Sequence, residues 1–292
     1  MCRALKQVVT LAGAFLLPLG LSAQRSSAAP GTPPTVAFEA ASVKQNPTAT
    51  AGSFVGRQPG GRFRAQNVSL GELIRYAYQL QPDQLRGGPA WIDGDHWDIL
   101  AALKDVPAPR APGTVDDTIL AVRALLADRF KLRLRTDVQP LPAYTLSRAR
   151  ADGALGPQIT RSQLDCEALF AAASRGVSPP PPADGRPLCD VRGRVGGIQA
   201  GGLPLSMFVN ALADRLQRVV IDRTGLTGAW DLTLTYDPDS SQLPPGVPPP
   251  APDPSRPSLS TALQEQLGLK LESTRAPIEV LVIESAERPT PD

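Results

Sequence analysis

Gly61-Arg-Phe-Arg-Ala-Gln-Asn-Val-Ser-Leu-Gly-Glu-Leu-Ile74 and Gly196-Gly-Ile-Gln-Ala-Gly-Gly-Leu-Pro-Leu-Ser-Met-Phe-Val209 decide the fold, because they are one pattern written twice. In the first stretch Val68 leads into Leu70, Leu73, Ile74 and Ala77, the i, i+3, i+4, i+7 stripe of an amphipathic helix. In the second, Leu203 leads into Leu205, Phe208, Val209 and Leu212 with the same spacing. Ser69 and Glu72 are set for a capping box, and Val68 and Leu73 for a hydrophobic staple. Pro204 stands where Ser69 stands in the first copy and is compatible with a helix start.

The match extends on both sides. A glycine turn precedes a strand that opens on Trp-Asp in each copy, Trp97-Asp98-Ile99-Leu100 and Trp230-Asp231-Leu232-Thr233-Leu234. Val122, Leu125, Leu126 and Phe130 return, with helical spacing, as Leu259, Ala262, Leu263 and Leu267. Alternating strands follow, with Leu132 and Leu134 matching Leu269 and Leu271. Pro140 matches Pro277 before a last strand, Ala143 to Ser147 in one copy and Glu279 to Glu284 in the other. Phe38 to Lys44 reads as an additional strand at the front. The expected architecture is therefore α+β: two tandem copies of a small mixed-sheet unit with helices packed on one face. The alternative is a single sheet shared by both copies.

Two compositional breaks frame the copies. Residues 151–193 are rich in proline and glycine and include Pro179 to Pro182 in a row, and Pro238 to Pro257 is again dominated by proline. Proline lacks the amide proton and fixes φ, so neither stretch continues a helix or central strand. The expected organisation is repeat 1 at 36–150, a connector at 151–193, and repeat 2 at 194–289 carrying an insertion at 238–257.

Arg3 and Lys6 precede an apolar run from Val8 to Leu21, and small residues from Ser22 to Ala29 follow it. That is the layout of a secretory signal peptide, here residues 1–28. The run contains Gly13, Pro18 and Gly20 and falls short of the roughly 20 residues of a spanning helix, which makes an uncleaved anchor the weaker alternative. Nothing else in the sequence is expected to span a membrane, and the expected destination is the periplasm or the exterior. Cleavage would remove Arg3, Lys6 and Arg25 and no acid, so 30 basic side chains become 27 against 28 acidic. A chain so near neutrality, with scattered arginines, lacks the footprint of nucleic-acid binding. Two cysteines, Cys166 and Cys189, would remain. An even count in an exported chain predicts one disulfide between them.

The series Phe38-Glu-Ala-Ala-Ser-Val-Lys44, Gly60-Gly-Arg-Phe63, Gly87-Gly-Pro-Ala-Trp91, Leu125-Leu-Ala-Asp-Arg-Phe-Lys-Leu132, Asp222-Arg-Thr-Gly-Leu-Thr-Gly228, Ala262 to Leu271 and Val280-Leu-Val-Ile283 resembles a family of exported proteins of unknown function expanded in soil Acidobacteria. The likeness runs from about residue 36 to 289. It implies an exported soil-bacterial protein whose domain is in some relatives attached to a membrane metallopeptidase of the antibiotic-sensor type, and it brings no catalytic residues. The repeat plan also looks like the short N-terminal domain of secretins and TonB-dependent receptors, a likeness of pattern that raises the expectation of a binding module.

Few residues invite chemistry. His96 is the only histidine, which excludes a histidine-based metal cluster within the chain, and no Gly-x-Ser-x-Gly elbow accompanies it. Asp93, Asp95 and Asp98 resemble a fragment of a calcium loop, but the later glycine and closing glutamate are missing, and aspartates around Gly94 are ordinary turn formers. The glycine-rich stretch from Gly193 to Gly202 has neither the spacing nor the lysine of a phosphate cradle. No catalytic, cofactor or metal residue is assigned. Two functions are carried forward. One is a non-enzymatic module for an envelope ligand or protein partner, with Tyr76, Tyr78 and Trp91 as an aromatic contact surface. The other is an envelope-polymer hydrolase using paired carboxylates, for which Glu72, Asp93, Asp95 and Asp98 are the clustered acids.

Overall fold

Leu70–Tyr78 forms α1, and its start is built as its sequence dictates. The Ser69 hydroxyl accepts from the Glu72 amide at 3.2 Å, and the Glu72 carboxylate accepts from the Ser69 amide at 2.8 Å. In this computed structural model residues 36–48, 52–105, 114–173, 175–177, 180, 182, 185–238 and 256–290 are described. The expected signal peptide and nearly all of the second Pro-rich stretch lie outside them.

The first copy supplies strands β1 (Ala40–Asn46), β2 (Phe54–Gln58), β3 (Arg62–Ser69), β4 (Leu85–Gly87), β5 (His96–Ala102) and β6 (Arg133–Arg148). Its helices after α1 are the single turn α2 (Trp91–Gly94) and α3 (Asp117–Arg129). Then come β7 (Ile159–Arg161), α4 (Cys166–Ala173), β8 (Asp190–Arg194), β9 (Gly197–Pro204) and α5 (Leu205–Leu216). The chain ends with β10 (Val220–Asp222), β11 (Ala229–Thr235), α6 (Leu259–Ala262) running into a π-helical turn (Leu263–Leu267), and β12 (Leu269–Ser285).

The strands assemble into three four-stranded sheets. The order β1-β5-β3-β2 of one copy recurs as β7-β11-β9-β8 in the other, antiparallel throughout. The strand at Phe38 to Lys44 thus has a counterpart, β7, and residues 151–193 hold β7, α4 and most of β8. The third sheet, β10-β6-β12-β4, is shared: β6 and β12 pair antiparallel, while β10 runs parallel to β6 and β4 parallel to β12. Each copy therefore lends a short strand to the long strand of the other.

The breaks expected at Pro140 and Pro277 are absent, and both residues sit in mid-strand. They pair with each other, with Leu141 opposite Ala276 and Gln139 opposite Ile278, so a pseudo-two-fold axis passes between them. The strand tolerates them because of where their missing amides would point. Tyr144 donates its amide to the Val219 carbonyl at 2.9 Å, away from β12. Strand amides alternate, so Pro140 and Pro142 face that same side, beyond the reach of β10, which covers only Tyr144 to Leu146.

A second device recurs in both copies. β3 and β9 each carry a bulge at which Asn67 (φ 53°) and Gly202 (φ 69°) adopt left-handed backbone. The Asn67 amide donates to the Asp98 carboxylate at 2.8 Å, and the Gly202 amide to Asp231, also at 2.8 Å. The Trp-Asp pair is thereby explained. Trp97 and Trp230 enter the two cores, and the neighbouring aspartate, on the other face, holds the bulge. Asn serves at 67 because some side chain fits there. Gly202 admits none, since a Cβ would lie 2.5 Å from the Cys166 sulfur.

Leu73, Ile74, Phe208 and Val209 are buried at equivalent places in two separate cores, and Leu141, Ala143, Ile278 and Val280 form a third on the shared sheet. Cys166 and Cys189 are joined by a disulfide across 23 positions of sequence.

Phe208→Ala should cost about 3–5 kcal/mol in urea unfolding. Asp98→Ala and Asp231→Ala should each cost about 1–3 kcal/mol, since a buried amide loses its acceptor. Reduction of the disulfide should lower stability by about 3 kcal/mol, as expected for a closed loop of this length.

Candidate functional site

The residues that end α1 and the exposed side of α5 meet in a groove between the copies. α1 stops at Gln79 and α5 at Gln217, both in the left-handed conformation that turns the chain out of a helix (φ 55° and 50°). α5 is 12 residues long against 9 for α1. The first copy instead has a short 3-10 turn, Pro82–Gln84, before β4. The groove lies where this difference falls.

One cavity of about 660 Å³ is lined by Arg75, Tyr76, Tyr78, Asn210, Asp214 and Gln217, among others. A second of about 560 Å³ shares Gln79, Asn210 and Asp214 with it and continues past Met207 and Arg215. Gln81 crosses between the copies, donating its Nε2 to Asp214 at 2.8 Å. Gln217 donates to the Asp214 carbonyl at 2.6 Å. The last carbonyls of α1 are also engaged: Arg123 donates to Ala77 O at 2.8 Å, and its guanidinium lies 4.5 Å from the centre of the Tyr78 ring. Tyr76 packs on Phe63 with centroids 5.8 Å apart. Burial pushes both phenols above their ordinary pKa, against the opposing pull of Arg57 on Tyr76 and Arg123 on Tyr78. Both hydroxyls are therefore neutral donors and acceptors at neutral pH.

The polar lining is thus two phenols, several side-chain amides, two carboxylates and two guanidiniums. Such a set offers hydrogen-bond donors and acceptors to a polar ligand.

The acids singled out in the sequence go to different partners. Glu72 closes the helix cap, Asp98 holds the bulge and accepts from Asn46 at 3.2 Å, and Asp95 accepts from Arg288 at 2.7 Å. Asp93 is exposed at α2, 4.0 Å from Arg75. Among the described residues no group of three or more His, Cys, Asp or Glu is arranged to hold a metal ion. His96 opens β5, paired with Asn46 and Ser69, and does not line the groove. Trp91 stands apart from the two tyrosines, beneath the Arg288 guanidinium at 5.0 Å. Gln79, Asn210, Asp214 and Gln217 had no distinguishing signal in the sequence. The only hint was indirect, in the unequal lengths of the two helix-to-strand connections.

The profile of a family described as "Protein of unknown function (DUF3738)" matches residues 71–286. The chain belongs to that family. No match is found among curated proteins and none among solved structures. The DUF3738 match runs from the first turn of α1 to the end of β12 and so contains both sides of the groove, while β1, β2 and β3 precede it. Among the described residues no helix is long and apolar enough to cross a membrane.

Because burial raises the folded-state pKa of Tyr76 and Tyr78, the stability linked to their neutral form is present below the unfolded value near 10 and is lost as pH rises through the folded values. In an alkaline titration followed by tyrosinate absorbance, Tyr76→Phe with Tyr78→Phe should remove late-titrating signal.

Proposed function

We propose that this DUF3738 protein is a non-enzymatic binding module exported to the cell envelope or exterior, and that the groove between its copies receives a polar envelope ligand. The observation that carries the reading is the groove itself, built where α5 runs three residues longer than its counterpart α1. Its neutral phenols and amides suit a ligand rich in hydroxyl or amide groups, and the near balance of Arg75 and Arg215 against Asp214 and Glu72 disfavours a strongly anionic one. The Cys166–Cys189 disulfide supports an oxidising destination. The signal-like residues 1–28 support export, and mass spectrometry of the mature protein should find an N-terminus between Ala23 and Ala29.

The test uses purified peptidoglycan sacculi as the probe. Wild-type protein should co-sediment with them, and Asn210→Ala combined with Gln79→Ala should lower the bound fraction at least tenfold while leaving the unfolding midpoint unchanged. Equal binding by the variant would remove the groove from the reading. Turnover of sacculi or peptide substrates that is lost in an Asp93→Asn, Asp95→Asn variant of unchanged stability would replace the module by the hydrolase. That variant leaves the Asp98 bulge bond intact.

A further inference from the structure

The outward face of the sheet β1-β5-β3-β2 has a composition that its own twin lacks. Pairing register sorts the rows: Val43, Ile99, Ala65 and Val55 lie side by side on the core-facing side, so the next row, Ser42, Leu100, Arg64 and Gly56, faces out. Leu100 is 62% exposed and Phe54, on the same face, 44%. Phe54 folds back over Gly56, its ring 3.2 Å from where a Cβ of residue 56 would stand, so the absence of a side chain there makes room for it. A shallow hollow of about 610 Å³ lies over this end of the sheet, bordered by Ala40, Leu100, Ala102, Arg62 and Arg64.

The second copy serves as an internal control, because β7-β11-β9-β8 repeats the same order. Through the matched Trp-Asp strands Leu100 corresponds to Thr233. Through the pairs Phe54 with Gln66 and Asp190 with Gly201, Phe54 corresponds to Asp190. The fold therefore does not require an apolar side chain at either place. Apolar residues left in water on a strand face, where the twin carries threonine and aspartate, mark a surface with a use.

Charge selects the occupant. Lys44, Arg62 and Arg64 lie on this same face. Arg62 donates to the Pro59 carbonyl at 3.1 Å and Arg64 to the Gln66 amide oxygen at 2.6 Å, so these bonds leave both charges uncancelled. Asp98 lies on the same face directly across from Lys44 and offsets that charge, so Arg62 and Arg64 are the cations that the patch presents. A second copy docked face to face would set these cations against themselves. An exposed apolar pair flanked by cations instead complements a leaflet of anionic lipid, into which Phe54 and Leu100 dip while the long basic side chains reach the headgroups.

We infer that this face docks the protein on an anionic lipid surface. The inference is independent of the groove, which involves none of these residues.

Flotation of the full chain with vesicles tests it. Binding should occur to an equimolar mixture of phosphatidylcholine and phosphatidylglycerol, not to phosphatidylcholine alone, and should weaken in high salt. Arg62→Gln with Arg64→Gln should reduce the vesicle partition coefficient roughly thirtyfold, about fivefold per cation. Leu100→Thr, which installs the residue of the twin, should reduce it several-fold without a change in unfolding midpoint, and Gln199→Ala on the twin face should leave it unchanged. Absence of flotation with the mixed vesicles, or equal flotation of the folded variants, would overturn the inference. So would sedimentation showing a dimer that Leu100→Thr dissociates, since the face would then belong to a second copy.

Discussion

The structure depends on the pairing of β6 with β12. These strands of 16 and 17 residues run antiparallel through a pseudo-two-fold axis between Pro140 and Pro277, and every other element is placed with respect to them. A four-stranded antiparallel sheet with helices on one face has an unprotected edge and little core of its own. Here the edge of each long strand is covered by a strand from the opposite copy, β4 on β12 and β10 on β6. The exchange makes the copies interdependent: Leu146 packs into the second core and Ile283 into the first. A duplicated unit has thereby become one cooperative structure.

Much of this was legible in the sequence because it is local. Helical stripes, a capping box, an alternating Trp-Asp strand and a pair of cysteines all act over short spans, and the duplication showed the stripes and the Trp-Asp strand twice. The failures have a common physical cause, which is that they concern where strands go. Nothing in Leu85 to Gly87 or Val220 to Asp222 announces that each pairs with the other copy. The three residues of β7 are too few to show a period. Pro140 reads as a strand breaker unless it is known that no partner stands on its amide side. The second helix of the later copy departs for a different reason. Pro257 ends what can precede it, and four α-helical residues then pass into a π-turn that delivers Leu263 and Leu267 to the core.

The candidate site was less legible than the fold. Tyr76 and Tyr78 were picked out as contact residues and do line the groove, but two positions apart on a helix they point in different directions, and one packs on Phe63 while the other lies under Arg123. Glu72, Asp95 and Asp98 looked like a cluster because they are acids close in sequence. Each is in fact occupied by a helix start, an arginine or a bulge amide. No motif distinguishes Asp214 or Asn210, which both line the groove; Asp214 lies in the turn by which α5 exceeds its twin, and Asn210 stands where α1 has Arg75. Proximity in sequence did not gather the groove residues, whereas departure from the repeat marks the Asp214 side of the groove.

That contrast gives the duplicated fold its use as an instrument. Where both copies keep a feature, as with the two bulges, the two Trp-Asp strands and the two left-handed helix ends, the requirement comes from the fold, because two different surroundings impose the same solution. Where they differ, the fold has accepted both solutions and the choice must come from something else. In one case that something is visible: Gly202 replaces the asparagine of the first copy because the disulfide occupies the space of a side chain. For Leu100 against Thr233 and Phe54 against Asp190 no neighbour among the described residues makes the demand, since these side chains point into solvent. The lipid surface inferred above would supply it. A surface requirement of that kind is expressed in one copy only, because a single face suffices to meet a planar partner.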